Sequence, residues 1–179
     1  ARVGGPYVPI STGQLPPGTA GAISGPWGAV TPGVLALLDY FFDHAAGHYD
    51  FIALDGHLAY NTTRFNGTTW HPPYPDMLSA TQIFPAMTQW VRDALTKRGS
   101  NIPIWWSEMY PVPCFDYNAY MPTGHTQLPQ AWPVEQQVAV YTKEVEEISD
   151  AHIGVEVFLN WGAESNKNCI AGMYNDTSV

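Results

Sequence analysis

The residue best placed for chemistry in this chain is Glu108. It follows an apolar and aromatic run at residues 102–106 and lies two positions before Tyr110. In parallel α/β folds, catalytic groups stand at the carboxyl ends of strands, where a carboxylate can act as nucleophile, acid or base. Pro111 and Pro113 are expected to prevent continuation as a central strand, because proline has no N–H to donate to the sheet. The alternative is an ordinary surface glutamate in a strand-to-loop turn.

Asp55 and His57 form a second group of polar residues, at the end of a mostly apolar run at residues 49–57. This pattern predicts a strand that is buried on both faces and meets solvent only at its tip. Asp55 beside Glu108 would add a like charge and raise the pKa of one carboxyl. A metal site of Asp55, His57 and His71 is an alternative, but these residues lack a regular ligand spacing. We therefore expect neither a metal nor another cofactor.

Aromatic residues make up 13% of the chain, with seven Trp and ten Tyr, and charged residues are only 13%, about half the usual share. This composition suits a neutral, ring-shaped partner such as a carbohydrate, whose faces stack on Trp and Tyr, although part of the aromatic content must form the core. Trp27, Trp70, Trp105 and Trp161 are candidate sugar platforms, and core packing is an equally good interpretation of each. The residues expected to contact a substrate are Asp55, His57, Trp70, Trp106, Tyr110 and Trp161.

The net charge of −9, with only seven Lys and Arg, argues against nucleic acid as a partner, because phosphate binding needs basic patches. No run of about 18 apolar residues is present, so we predict no membrane span. The chain begins at Ala1, without Met and without a signal-peptide pattern, and we expect a processed or excised piece.

Two cysteines and three glycosylation sequons bear on the compartment. Cys114 and Cys169 each follow a predicted strand, so a disulfide between loops at one end of the sheet is one arrangement, which two cysteines alone do not establish. The sequons begin at Asn61, Asn66 and Asn175. With the low charge and the frequent Pro and Gly, they favour a secreted glycoprotein.

Strand and helix patterns alternate along the chain. Strands are predicted near residues 2–10, 49–57, 101–108 and 152–161, and helices near 31–46, 81–98 and 133–149. The alternation predicts one α/β domain over residues 1–179, with a parallel sheet and right-handed crossovers. Every long predicted loop follows a strand, as in (β/α)8 barrels, but a full barrel needs roughly 250 residues. A small open α/β sheet is the other architecture with this element order.

Three other acidic positions are expected to be structural. Asp50 precedes its strand and suits a turn or an ion pair, and Glu156 is expected to face inward with its carboxylate satisfied by neighbours. Glu144 belongs to a charged run at residues 143–147 that is most simply the solvated face of the last helix. Glu164 could line the site or lie in a loop.

Short motifs in order along nearly the whole chain resemble the β-xylosidase and α-L-iduronidase family of clan A glycoside hydrolases. Residues 3–6 (Val-Gly-Gly-Pro) resemble the fifth strand of its barrel, and residues 38–42 with 50–54 resemble the next helix and the sixth strand. Residues 104–108 (Ile-Trp-Trp-Ser-Glu) resemble the seventh strand, and 159–161 (Leu-Asn-Trp) the eighth. Each motif is short, and their order and spacing carry the resemblance.

The resemblance implies that Glu108 is the nucleophile of a retaining glycosidase. The acid/base of this clan is the Glu of an Asn-Glu pair after the fourth strand, and this chain contains no Asn-Glu pair. We therefore expect that group, and strands one to four, in a second chain or in an N-terminal half outside this sequence. The sixth strand of the family usually ends His-x-Tyr, with the Tyr touching the nucleophile. His57 and Tyr60 are the candidates for that contact here.

The leading hypothesis is thus the C-terminal half of a secreted (β/α)8 glycoside hydrolase, a partial TIM barrel. A non-catalytic carbohydrate-binding or structural barrel derived from such an enzyme is the main alternative, because the acid/base is missing and the sixth-strand motif is altered. A self-contained small α/β domain without a glycan role is the third hypothesis.

Overall fold

The structure, a computed structural model, describes residues 1–11, 15, 18–25, 28–58, 64–65, 68–69, 76–111, 134–150 and 154–160. The strands are β1 (Gly4–Ser11), β2 (Ile23–Gly25), β3 (Gly28–Val30), β4 (Phe51–Leu58), β5 (Arg64–Phe65), β6 (Thr68–Thr69), β7 (Ile104–Pro111) and β8 (Val155–Asn160). The helices are α1 (Pro32–His44), α2 (Asp76–Ala80), α3 (Ile83–Lys97) and α4 (Val134–Asp150).

Strands β1, β4, β7 and β8 form one parallel sheet in that order, and α1, α3 and α4 are the three long connecting helices. The predicted α/β fold with a four-stranded parallel sheet is therefore confirmed. Each crossover returns the chain to the next position in the sheet, so consecutive βα units lie side by side. The carboxyl ends of the four strands consequently point the same way.

Two small hairpins and a short helix lie in segments that the sequence predicts as loops. β2 pairs antiparallel with β3, β5 pairs antiparallel with β6, and α2 precedes α3. β7 also runs past Glu108, where the sequence predicts the strand to end, and continues to Pro111, which pairs with Leu58. The described pairing of β7 with β8 ends at Met109, so among the described residues Pro111 has a strand neighbour on one side only, which agrees with the expectation that it does not continue a central strand.

Local signals set the helix ends as the sequence indicates. The Thr31 side chain caps α1 by accepting a hydrogen bond from the Val34 N–H at 3.3 Å, with Pro32 at the first helical position. Gly47 and Gly99, beyond the ends of α1 and α3, adopt φ of 81° and 70°, a conformation that costs glycine little. Within the described segments, no helix has both the length and the apolar character that crossing a membrane requires.

The core fills the space between the helices and one face of the sheet. Trp106 of β7 is 0% exposed; its ring meets Phe84 of α3 edge to face, and its Nε1–H donates to Thr88 Oγ1 at 2.9 Å. The other fully buried core side chains of strands β1, β4 and β7 are Ile10, Ile52, Leu54, Ile104 and Met109. The contacts of Trp106 with Phe84 and Thr88 hold α3 against the middle of the sheet.

Glu144 corrects the expectation of a solvated charged face on α4. Its side chain is 0% exposed, on the helix face that also buries Val140 and Ile148, because residues four apart share a face. No described residue hydrogen-bonds its carboxyl, and burial raises its pKa well above the ordinary value. The neutral acid is the form that suits this position.

Replacing Thr88 with Val should destabilise the fold by about 1–3 kcal/mol, because the buried Trp106 N–H would lose its acceptor while the side-chain shape is kept. Urea unfolding followed by tryptophan fluorescence measures the change. Thr96→Val, at an exposed position of the same helix, is the matched control and should change the free energy of unfolding by less than about 0.5 kcal/mol. Equal effects of the two substitutions would contradict this role of Thr88.

Candidate active site

The candidate site lies on the face of the sheet opposite the described helices. On the central strand β4, Leu54 and Gly56 face the core, so Asp55 between them faces away from it. Asp55 pairs in register with Glu108 of the neighbouring strand β7. The two acidic residues that the sequence singles out are thus brought together, as predicted.

A β-bulge at Ser107 turns Glu108 onto this face. The register passes from Leu54 opposite Trp106 to Asp55 opposite Glu108, so Ser107 is an extra residue on β7. Strict alternation from Trp106 would place Glu108 on the core face, whereas after the bulge it is Met109 that enters the core. The Ser107 hydroxyl donates to the Leu54 carbonyl at 3.0 Å and holds the bulge against β4.

A second irregularity, on β1, turns Tyr7 onto the same face. Gly5 pairs with Ile52 and Val8 pairs with Leu54, so the two residues Pro6 and Tyr7 stand opposite one residue of β4. Val8 is buried in the core, and Tyr7 therefore points to the other side. The regular central strand is flanked by two bulged strands, each of which contributes one polar side chain.

The Tyr7 hydroxyl donates a hydrogen bond to Glu108 Oε2 and also interacts with the carboxyl of Asp55. Three strands therefore converge on one phenol and two carboxyl groups. Tyr7 keeps 55% of its surface exposed, whereas Asp55 keeps 5% and Glu108 is intermediate. A ligand that approaches this face would meet Tyr7 and Glu108 before Asp55.

Burial and charge shift the acidities of this cluster. Burial, and then the negative charge of Glu108, raise the pKa of Asp55 from 3.8 to about 6, while the hydrogen bond from Tyr7 opposes the rise. The pKa of Tyr7 is also raised, by partial burial, by its hydrogen bond to Glu108 and by the negative charge of Asp55. Tyr7 therefore stays a neutral phenol that can donate, and Asp55 can hold a proton in mildly acidic solution.

An aromatic and ionic layer adjoins this cluster on the same face, nearer the amino ends of the strands. The rings of Phe51 and Trp105 stack with centroids 3.8 Å apart, and the Arg2 guanidinium lies 5.6 Å and 5.2 Å from their centroids. Glu156 accepts from Trp105 Nε1 at 2.6 Å and pairs with Arg2 at 2.9 Å, which lowers its pKa. The expectation that neighbours satisfy Glu156 is met, although the side chain is exposed.

The remaining predicted contact residues have three different outcomes. Trp106 is wrong as a substrate contact, because alternation places it in the core on the opposite face. The backbones of His57 and Tyr110 pair with each other near the ends of β4 and β7, and their side chains lie outside the described residues. Trp70 and Trp161 also lie outside the described residues.

Tyr7 is a site residue that the sequence does not single out. The sequence predicts His57 or Tyr60 for the contact with Glu108, whereas the structure gives this contact to Tyr7. The sequence does contain a signal that predicts the orientation of Tyr7. Val8 and Ile10 are apolar and two positions apart, which indicates that both face the core and that Tyr7 faces the other side of the sheet. Asp50 has its expected structural role, since its carboxylate accepts from the Val3 N–H at 2.7 Å.

Several other predicted features fall outside the described residues, namely the cysteine pair (114 and 169), His71 and the sequon asparagines (61, 66 and 175). Where the side chains are described, no group of three His, Cys, Asp or Glu residues gathers in an arrangement that could hold a metal ion.

Comparisons of the chain with protein-family models, with curated proteins and with solved structures find no match. The function must therefore be argued from the site itself.

Replacing Asp55 with Asn should stabilise the protein at neutral pH. Because the folded-state pKa is raised, the folded protein binds more protons than the unfolded chain between about pH 4 and about pH 6, so wild-type stability falls as the pH rises through this range. Asn cannot ionise, and the gain should be about 1–3 kcal/mol near pH 8, the lower figure allowing for solvent screening, and should vanish near pH 4.

Urea unfolding at both pH values measures this difference. Asp43→Asn is the control of opposite sign, because the hydrogen bond and charge of Arg98 lower the pKa of Asp43. That variant should lose stability near neutral pH, and the deficit should shrink as the pH falls. A stability difference for Asp55→Asn that is constant with pH would rule out a raised pKa.

Proposed function

We propose that this protein is a retaining glycoside hydrolase in which Glu108 is the nucleophile. The observation that carries the proposal is the hydrogen bond from the Tyr7 hydroxyl to Glu108, beside Asp55, in the carboxyl-terminal halves of the parallel strands β4 and β7. Tyr7 fixes one oxygen of Glu108, Oε2, and the proposed attack uses the other oxygen. The resemblance of the strand motifs to the β-xylosidase and α-L-iduronidase family supports the same role.

In the proposed reaction, a carboxylate oxygen of Glu108 forms a bond to the anomeric carbon while the glycosidic C–O bond breaks. The departing oxygen takes a proton from a general acid. Water then attacks the glycosyl ester, giving its proton to the same group acting as base, and the sugar leaves with retained configuration. The Tyr7 hydroxyl holds Glu108 in the orientation for attack.

Asp55 is a poor candidate for that acid/base group. It neighbours Glu108 on the next strand, shares Tyr7 with it and is only 5% exposed, so its carboxyl lies behind the nucleophile rather than beside a leaving group. The acid/base should stand about 5–5.5 Å from the nucleophile across the scissile bond. We propose that it comes from a second chain or an N-terminal half that supplies strands one to four.

The sheet face opposite the described helices favours completion as a (β/α)8 barrel. Parallel sheets normally have both faces covered, whereas on this face Tyr7 and the Arg2–Glu156 pair are exposed and Phe51 and Trp105 are partly exposed. In a closed barrel, such side chains form interior layers beneath the catalytic end. The proposed assembly acts on O-glycosidic bonds of a carbohydrate, in a secreted setting.

The decisive experiment uses dinitrophenyl 2-deoxy-2-fluoroglycosides of D-xylo, L-arabino and D-gluco configuration on the full chain, with any partner that co-purifies. Dinitrophenolate leaves without a general acid, so labelling tests the nucleophile alone. Intact mass spectrometry should show one glycosyl adduct, and peptide mapping should place it on Glu108. Glu108→Gln should label at least roughly 10³-fold more slowly, whereas Glu135→Gln, at an exposed position of α4, should label normally.

An adduct on another residue would overturn the role of Glu108. Binding of these sugars without any adduct would instead support the alternative, a non-catalytic carbohydrate-binding barrel.

A further inference from the structure

The Tyr7 hydroxyl has two carboxyl neighbours but only one proton to donate. A phenol has one proton to donate, and its oxygen can accept a hydrogen bond. Tyr7 donates that proton to Glu108 and also interacts with Asp55. Both contacts can be full hydrogen bonds at once only if Asp55 is the donor to the Tyr7 oxygen. A carboxyl group can donate only when it is protonated.

The surroundings favour a proton on Asp55 rather than on Glu108. The two carboxyl groups lie in register on adjacent strands, and like charges this close disfavour ionisation of both. Asp55 is 5% exposed and Glu108 is partly exposed, so desolvation falls more heavily on Asp55. The raised pKa of Asp55, about 6, agrees with this assignment.

The other charged groups described on this face interact with partners other than Asp55. Among the described Lys and Arg residues, Arg2 is the one that contacts the side chains of this face, and it is paired with Glu156 of β8 and stacked over Phe51 and Trp105. Glu156 in turn accepts from Trp105. The groups that face Asp55 from the strands on either side are Tyr7 of β1 and Glu108 of β7.

We propose that Asp55 acts as a protonated carboxylic acid that donates a hydrogen bond to the Tyr7 oxygen, so that the Tyr7 proton is committed to Glu108. Asp55 is a positioning residue, because it acts on Glu108 through Tyr7. The catalytic consequence rests on the glycosidase function proposed above, whereas the hydrogen-bond chain does not.

Ionisation of Asp55 breaks this chain. Asp55 can then only accept, and the Tyr7 proton is drawn towards two carboxylates; the hydrogen bond from Tyr7 indeed lowers the pKa of Asp55, as a donor to its ionised form does. Glu108 loses its fixed donor. The nucleophile should therefore be best positioned in mildly acidic solution and should lose activity as Asp55 ionises.

The first test reads the chain without any substrate. In protein labelled with ¹³C at Asp Cγ and Tyr Cζ, the Asp55 signal, assigned by its loss in Asp55→Asn, should titrate with a midpoint near the pKa of about 6. The Tyr7 Cζ signal should move with the same midpoint. Tyr49, whose ring packs on Phe41, is the reference tyrosine, and its signal should not move with that midpoint.

The second test uses the rate of labelling by the activated fluoroglycoside, a step that needs no general acid. The wild-type rate should fall about tenfold as the pH rises from about 5 to about 7.5. Asp55→Asn should keep a rate near the acidic wild-type value over this range, because the amide N–H₂ also donates and does not titrate. Asp55→Ala should label slowly throughout, and Asp93→Asn, on the outer surface of α3, should behave as wild type.

The outcomes separate the two proposals. A midpoint near about 4 for Asp55, the ordinary value, or a Tyr7 signal that ignores it, would overturn the hydrogen-bond chain whatever the activity. A wild-type pH profile in Asp55→Asn would overturn it as well. Coupled titration of Asp55 and Tyr7 without labelling by any sugar would leave the chain standing and count against the glycosidase.

Discussion

A β-strand presents successive side chains to opposite faces of its sheet, and the candidate site exists because that alternation is broken twice. Val8, Trp106 and Met109 must enter the core on the helix side. Strict alternation counted from Gly5, which pairs with the buried Ile52, would carry Tyr7 into that core, and alternation counted from Trp106 would carry Glu108 there. One extra residue on β1 and one on β7 keep the apolar side chains inside and bring the phenol and the carboxylate to the other face. The regular strand β4 between them needs no such adjustment to present Asp55.

At the candidate site, hydrogen bonding offsets part of an unfavourable electrostatic interaction. Two carboxyl groups on neighbouring strands repel each other, and a buried one loses hydration, so this arrangement opposes folding. The Tyr7 hydroxyl offsets part of the cost by bonding Glu108, and a proton on Asp55 removes much of the repulsion. The adjoining layer is balanced differently, because Arg2 neutralises Glu156 and covers the stacked rings of Phe51 and Trp105. One face of the sheet thus carries a neutralised layer next to a layer that retains negative charge.

Much of the architecture could be predicted from the sequence, because hydrophobic runs and capping residues are local signals. The Thr31-Pro32 helix start, the glycines after two helices and the four parallel strands all follow from such signals. The pairing of Asp55 with Glu108 follows from the parallel order. The bulges could not be predicted, because an extra residue can be recognised only by comparison with the residues of the partner strand. The bulge at Ser107 places Trp106 and Glu108 on opposite faces of the sheet, so the sequence alone could not show which face Trp106 occupies. Glu144 escaped prediction for a related reason, since a charged residue on a mixed helix gives no local sign of burial.

Gly56, between Asp55 and His57 in the sequence, separates the site from the core by the thickness of one backbone. A Cβ added there would stand 2.3 Å from Phe84 and 2.8 Å from Trp106, so both rings lie directly against the main chain that carries Asp55. The strand cannot shift towards the helices without compressing these rings, and Trp106 is itself anchored on Thr88. The packing of the hydrophobic core therefore restricts movement of the backbone that carries the acidic pair. Changes in the volume of the core, at positions that no ligand touches, would be transmitted to the spacing of the two carboxyl groups, so packing and chemistry in this protein cannot evolve independently.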